Sequence, residues 1–135
     1  MNIQSIGWEM ALPIRHAVLW PDKPLSFCKV EDDETAKHYG AYINNQLVCV
    51  ASIYIDEQTA RLRKFATLAD FQGRGIGSQM LAYIIDELKK LEINLFWCDA
   101  RQSAQSFYQR FGLKKQGAIF EKSGIPYYKM AIKLL

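Results

Sequence analysis

The sequence predicts an α/β (α+β) fold: a mixed, mostly antiparallel central sheet flanked by helices, in a single domain over residues 1–135. Three observations carry this. Residues 37–68 hold β-branched and aromatic runs separated by turn pairs, the pattern of an antiparallel meander. Ile76, Met80, Leu81, Ile84, Ile85, Leu88 and Leu91 follow one-face helical spacing. Between them, "DFQGRGIGSQML" (70–81) sets Gly73, Gly75 and Gly77 at alternate positions where a strand gives way to a helix.

A chain of 135 residues suits one domain with a real core. Half of it is hydrophobic, with only 8 Gly and 4 Pro, so it reads as globular and not disordered. The net charge of +3 suits an anionic small ligand, and no basic run is dense enough to argue for nucleic acid. "MNIQSIGWEMAL" lacks the charged start and long apolar stretch of a signal peptide, and no apolar run is long enough to span a membrane. Cys28, Cys49 and Cys98 are odd in number and have no metal-knuckle spacing, so they read as reduced, mostly buried thiols of a cytoplasmic protein that binds no metal. Cys98 reads either as a nucleophile or as a small buried hydrophobe.

The elements follow in order. "EMALPIRHAVLW" has Leu12, Val18 and Leu19 at helical spacing, with Pro13 suited to a first turn, and "WPDKPL" ends it. The acidic knot "EDDE" (31–34) reads as a solvated turn. "HYGAYI" and "QLVCVASIYI" are strands joined at Asn44-Asn45, a tight hairpin turn, and Glu57-Gln58 turns the chain into "ARLRKFATL". After the long helix, the continuous apolar run "INLFWCDA" suggests a central, buried strand. "SAQSFYQRFG" is a second helix closed by Gly112. "LKKQGAIFE" and "YYKMAIKLL" are strands around "KSGIPY".

A helix N-terminus has unpaired N–H groups and the positive end of the macrodipole, which makes it a ready anion site. Glycines there let the backbone approach a ligand closely and take unusual dihedrals. Arg74 adds positive charge and Ser78 a hydroxyl. Walker A is excluded, because no Gly-Lys-Ser/Thr follows at the required spacing. A dinucleotide fingerprint fits poorly: the third glycine comes one residue early, and an antiparallel meander precedes it, although Asp99 lies at about the distance of a ribose-binding acid. A glycine-rich loop that only turns the chain is the plain alternative.

At this point the chain resembles a family. Gln72-Gly73-Arg74-Gly75-Ile76-Gly77 is similar to the Q/R-x-x-G-x-G/A signature of GNAT superfamily acyltransferases. "LRKFATLADFQGRGIGSQML" resembles that family's signature strand, loop and helix, and "ARQSAQSFYQRFGL" its later strand-to-helix segment. "EKSGIPYYKMAIKL" and "IRHAVL" resemble a small bacterial subgroup with a C-terminal "GIPH". The match runs through most of the chain from about Ala60. The resemblance implies acetyl-coenzyme A as cofactor, with the backbone amides of Gln72, Gly73, Arg74, Gly75, Ile76, Gly77 and Ser78 around its pyrophosphate. It implies that Phe65 and Thr67 pair with the pantetheine arm as an added strand. It also implies an N–H of Thr67, or of Ala66, as the donor for the oxyanion of acyl transfer. Tyr108, from the "FY" pair, would protonate the thiolate, its ordinary pKa of about 10 exceeding the thiol's of about 8.5. Phe107 reads as core, beside Phe111.

The chain departs from the family twice. Arg101 stands where many members have Asn, and would reach cofactor or substrate instead. Tyr127 stands where the subgroup has His. No general base is legible: His38, His16, Glu31, Asp32, Asp33 and Glu121 are candidates, each with a structural alternative. The expected function is an acetyl-CoA-dependent N-acetyltransferase acting through a ternary complex on a primary amine, small-molecule or peptide, with no nucleic-acid or membrane partner. GNAT domains often form homodimers, and no dimer surface is legible. A non-catalytic coenzyme A-binding sensor or partner domain would use the same cradle, and a nucleotide-binding fold using Asp99 is a third reading.

Overall fold

A computed structural model describes residues 1–135. The elements are β1 (Asn2–Ile6), α1 (Trp8–Val18), β2 (Lys37–Ile43), β3 (Gln46–Asp56), β4 (Thr59–Thr67), α2 (Ile76–Lys90), β5 (Leu95–Arg101), α3 (Gln105–Gln109), β6 (Lys114–Lys122) and β7 (Ile125–Lys133), with single turns of 3₁₀ helix between some of them. The strands form one sheet in the order β1-β2-β3-β4-β5-β7-β6. No helix is long and apolar enough to cross a membrane. The chain forms two compact units: residues 1–54 with 63–83, and residues 55–62 with 84–135.

In the first unit β1, β2 and β3 form the antiparallel meander. Both residues of the β2–β3 turn, Asn44 and Asn45, have positive φ (48° and 66°), as the primed turn that matches strand twist requires. β1 was not expected. Its five residues bury only Ile3 and Ile6, each in part, so it lacks a readable apolar alternation and is held by pairing to β2. Pro13 falls in the interior of α1, not in its first turn, because the helix already starts at Trp8. Its missing N–H is tolerated on the exposed side of the helix. The inner side of α1 packs Ala11 and Ile14 against Val50 of β3 and Ala66 of β4.

The polar centre of this unit corrects one sequence expectation. "EDDE" is not a solvated turn throughout: Glu31, Asp32 and Glu34 are exposed, but Asp33 is buried. Arg15 of α1 is fully buried. Its guanidinium donates to both Asp33 oxygens (2.7 and 3.0 Å), the Cys28 carbonyl (2.9 Å) and the Ser52 hydroxyl (2.9 Å). The Tyr54 hydroxyl and the Val30 N–H also donate to the Asp33 carboxylate (2.5 and 2.8 Å). His38 closes the network. Its Nε2 meets the Asp33 carbonyl at 2.7 Å, which only accepts, so Nε2 carries the proton. Its Nδ1 therefore accepts from Ser52 at 2.7 Å. Burial pushes the Asp33 pKa up, but the bonds from Arg15, Tyr54 and Val30 outweigh it and hold the carboxyl below its ordinary value.

In the second unit the parallel β4–β5 register covers Thr59↔Leu95 to Arg61↔Trp97, and β4 then runs on to Thr67. β5 lies between β4 and β7, as expected of a central strand, but it is buried on one face only. Phe96, Cys98 and Ala100 are buried, while Leu95, Trp97 and Asp99 are partly exposed and Arg101 is exposed. The Phe-Trp-Cys run hid this alternation. α3 follows, and Gly112 at φ 91° ends it. β6 and β7 form a hairpin whose register shifts between Gln116 and Phe120.

Removing one partner of a buried ion pair costs roughly 3–5 kcal/mol, because the other charge is stranded. Asp33→Ala should therefore unfold at markedly lower urea than the parent. The native state holds the Asp33 proton less tightly than the unfolded chain. The stabilisation is therefore complete above the unfolded pKa of about 3.9 and fades as pH falls through the lower native value. The stability gap between the parent and Asp33→Asn should stay constant from pH 8 to 5 and narrow below about pH 4, read as urea midpoints; a gap that widens in acid would contradict the assignment.

Candidate active site

The sequence focus of the first unit is residues 67–78. β4 arrives under backbone strain: Lys64 sits at φ 55°, in the left-handed region that costs a non-glycine residue about 1–3 kcal/mol. Its Nζ lies 4.6 Å over the Trp20 ring. Such strain inside a strand re-aims the residues that follow, here Phe65, Ala66 and Thr67. The Thr67 hydroxyl turns inward to the Cys49 sulfur (3.3 Å). The Thr67 carbonyl accepts from Gln72 Nε2 (2.9 Å), and the Leu68 N–H donates to the Val48 carbonyl (2.9 Å). Gln72 thus ties the end of the strand to the start of the glycine loop. Its side chain is a brace there, a role the motif alone did not disclose.

Gly73 and Gly75 have φ of 74° and 79°, and a Cβ on either would meet nothing within 4 Å. Glycine is therefore needed for conformation, and the space above the backbone is open. Gly77 differs. It is the second residue of α2 and has no positive φ. No left-handed conformation requires glycine at that position. Buried Ile76 anchors the helix start. The Gln79 N–H donates to the Gly75 carbonyl at 3.1 Å. It is the first bond of α2, which leaves the N–H groups of Ile76, Gly77 and Ser78 without a partner inside the helix. Exposed Arg74 holds its guanidinium 5.0 Å over the Phe71 ring. Beside the loop, Ala17, Val18, Gln46 and residues 68–72 line a cavity of about 380 Å³, within the size range of small-ligand sites.

In the second unit Tyr108 is almost fully buried, and its hydroxyl donates to the Cys98 sulfur. Burial, then the nearby Cys98, push the Tyr108 pKa well above the ordinary phenol value. Burial, reinforced by Asp99, pushes the Cys98 thiol up to about 12, so it is not the nucleophile considered above. Arg101 and Tyr127 are opposed in the β5–β7 register, which the sequence did not reveal. Tyr127 stacks on Phe120 at 5.9 Å. Phe107 lies 5.5 Å from Phe111, the expected neighbour.

The candidate bases are reduced by geometry. Both ring nitrogens of His38 are committed inside the buried network, and Asp33 is bound to Arg15. His16 meets the Lys23 carbonyl through Nε2 (2.7 Å), leaving only Nδ1. Glu31, Asp32 and Glu121 are exposed. Asp99 is not a waiting ribose ligand: Arg61 and Lys122 both donate to its Oδ2, at 3.0 and 2.9 Å.

Fold and loop together define a class: an α+β protein with an open glycine turn at the N-terminus of its longest helix, reached from a strained strand. The family model described as "Acetyltransferase (GNAT) domain" matches residues 23–134, and the chain belongs to that family of acetyltransferases. The uncharacterized N-acetyltransferase YitI of Bacillus subtilis (strain 168) is 26% identical over 144 residues, covering 100% of this chain and 97% of that protein. The crystal structure of the ribosomal-protein-S18-alanine N-acetyltransferase from Escherichia coli superposes with TM-score 0.82 at 19% identity, over 98% of this chain and 93% of the other. A GNAT family acetyltransferase from Elizabethkingia anophelis, with acetyl-CoA bound, gives TM-score 0.74 at 17% identity, over 98% and 97%.

All three thiols are free and buried, with Cys49 pushed up to about 11 and Cys28 also raised, in both cases by burial. Iodoacetamide at pH 7.5 should leave the folded protein unmodified by mass spectrometry and label all three cysteines in guanidinium. Rapid labelling of Cys98 in the folded protein would show a thiolate that this geometry does not permit.

Proposed function

We propose that residues 1–135 act as one domain, an acetyl-CoA-dependent N-acetyltransferase that transfers to a primary amine while both partners are bound, in the cytoplasm. The observation that carries this is the open space over Gly73 and Gly75, both at positive φ, at the free N–H groups of α2. An anion of pyrophosphate's charge fits there: the backbone leaves room and the helix dipole favours negative charge. Acetyl-CoA, when bound, supplies an acetyl group activated as a thioester. The bound ligand of the Elizabethkingia neighbour supports that choice of cofactor. The name of the Escherichia coli neighbour, an alanine N-acetyltransferase, supports an amine as acceptor.

In this reading the N–H groups of residues 73–78 hold the pyrophosphate, with Arg74 supplying charge. The backbone of Phe65 and Thr67, past the last β4–β5 pair, carries the pantetheine arm. The N–H of Thr67 or Ala66 donates to the acetyl oxygen, and Arg101 reaches toward cofactor or acceptor. The position of Tyr108 modifies its role. An acid whose pKa lies above 10 gives its proton to a thiolate of conjugate pKa about 8.5 only uphill, by 1.36 kcal/mol per unit. Tyr108 is therefore a hydrogen-bond donor that leaves the weakly accepting Cys98 sulfur for the developing negative charge.

Gly75→Asp puts a carboxylate in the cradle and a side chain at φ 79°. Isothermal titration should show acetyl-CoA binding to the parent, no binding of NAD or ATP, and no acetyl-CoA binding to the variant. Normal affinity in the variant would remove the cradle from the mechanism. Tyr108→Phe should lower kcat by about a hundredfold to a thousandfold, the range for a lost charge-stabilising donor, with acetyl-CoA affinity retained. Unchanged kcat would remove Tyr108 from the chemistry.

A further inference from the structure

The sheet of the second unit has one face whose charged residues are largely exposed. Directly opposed residues of neighbouring strands share a face. Phe96, Cys98 and Met130 lie on the buried face, where Tyr108 of α3 meets Cys98. The registers Arg61↔Trp97↔Ala131↔Lys114 and Asp99↔Lys129↔Gln116 define the opposite one. Arg61, Arg101, Lys114, Lys122, Lys129 and Lys133 all stand on it, against the single carboxylate of Asp99. That excess of five positive charges exceeds the +3 of the whole chain, so the remainder of the protein is net negative. Arg101, Lys114, Lys122, Lys129 and Lys133 are exposed, and the Arg61 side chain retains 32% of its exposure.

The face already shows what it accepts. Asp99 Oδ2 takes a bond from Arg61 and another from Lys122, so two cations on neighbouring strands converge on one carboxylate. Arg101, Lys114, Lys129 and Lys133 make no such pair. The aromatic rings among them are taken: Arg61 and Lys129 each lie 4.6 Å from the Trp97 ring, and Phe120 and Tyr127 stack on one another. Base stacking on single-stranded nucleic acid needs free aromatic faces, and each of these rings has at least one face already covered. A second copy meeting the same face symmetrically would oppose like charges. We propose that this sheet face is a docking surface for an acidic polypeptide segment, whose carboxylates pair with Arg101, Lys114, Lys129 and Lys133 as Asp99 pairs with Arg61 and Lys122. It shares only Arg101 with the acetyl-transfer reading, which uses none of Lys114, Lys129 and Lys133.

The test is fluorescence anisotropy of a labelled decaglutamate peptide with the full chain, at low and at physiological ionic strength, with oligouridylate as competitor. The expected result is saturable binding that weakens as salt rises, since the Debye length shrinks to about 8 Å at 0.15 M. The double variant Lys129→Glu, Lys133→Glu should bind the peptide about tenfold more weakly or worse, because attraction becomes repulsion at two positions. Its acetyl-CoA affinity should be unchanged, which keeps this outcome distinct from failure of the cradle. If that variant loses its native circular dichroism, Lys114→Gln with Lys133→Gln replaces it and should weaken binding in the same direction. Absence of peptide binding, binding indifferent to these variants, or oligouridylate binding tighter than decaglutamate would each overturn the proposal.

Discussion

The fully buried Arg15–Asp33 pair fixes the first unit. A guanidinium with no access to water must spend its donors inside the protein, and this one reaches three other segments of the chain. It joins α1 to the loop carbonyl of Cys28, to Asp33, and to Ser52 and Tyr54 on β3. His38 on β2 completes the circuit in a single tautomer. One donor, Arg15 Nε, stays without a partner. A buried pair of this kind contributes little net stability relative to a hydrophobic core of the same volume. Its effect is on arrangement: any shift of α1 along β3 would strand a charge, so the helix has one permitted position.

That fixed helix gives the strained strand something to lean on. Ala11 and Ile14 of α1 pack with Val50 and Ala66, and Ala66 lies two residues beyond the left-handed Lys64. A strand holding a residue at φ 55° would relax if its surroundings allowed. The Lys64 ammonium over Trp20, the inward Thr67 hydroxyl and the Gln72 brace on the Thr67 carbonyl hold it in place. The glycine loop therefore starts from a defined point, and Gly73 and Gly75 supply the left-handed turns that lead into α2.

The sequence made legible what is local or repeats. The one-face spacing of α2, the Asn-Asn hairpin and the glycine loop before a helix are each written within a few residues. What it concealed depends on distance. Asp33 reads as one acid among four neighbours, and only its partner 18 residues earlier buries it. Asp99 reads as a spare carboxylate until Arg61 and Lys122 close on it from other strands. Cys98 and Tyr108 sit ten positions apart on a strand and a helix, and nothing in either segment announces their bond. The strain at Lys64 is illegible for another reason: lysine has no preference for the left-handed region, so the conformation is imposed by the fold.

In the proposed mechanism, burial and the neighbouring Cys98 together decide between two chemical roles for Tyr108. In water a phenol is a weak acid that could still exchange its proton with a thiolate. Removed from water beside a sulfur that is itself held protonated, the same phenol becomes a poorer acid. It loses none of its capacity to donate a hydrogen bond, and a low-dielectric setting strengthens that bond toward a charged acceptor. A neutral thiol is a weak acceptor, so little is lost when the hydroxyl turns away from it. In that mechanism Cys98 keeps the Tyr108 donor satisfied but lightly held, whereas a carboxylate at the same position would hold it more strongly.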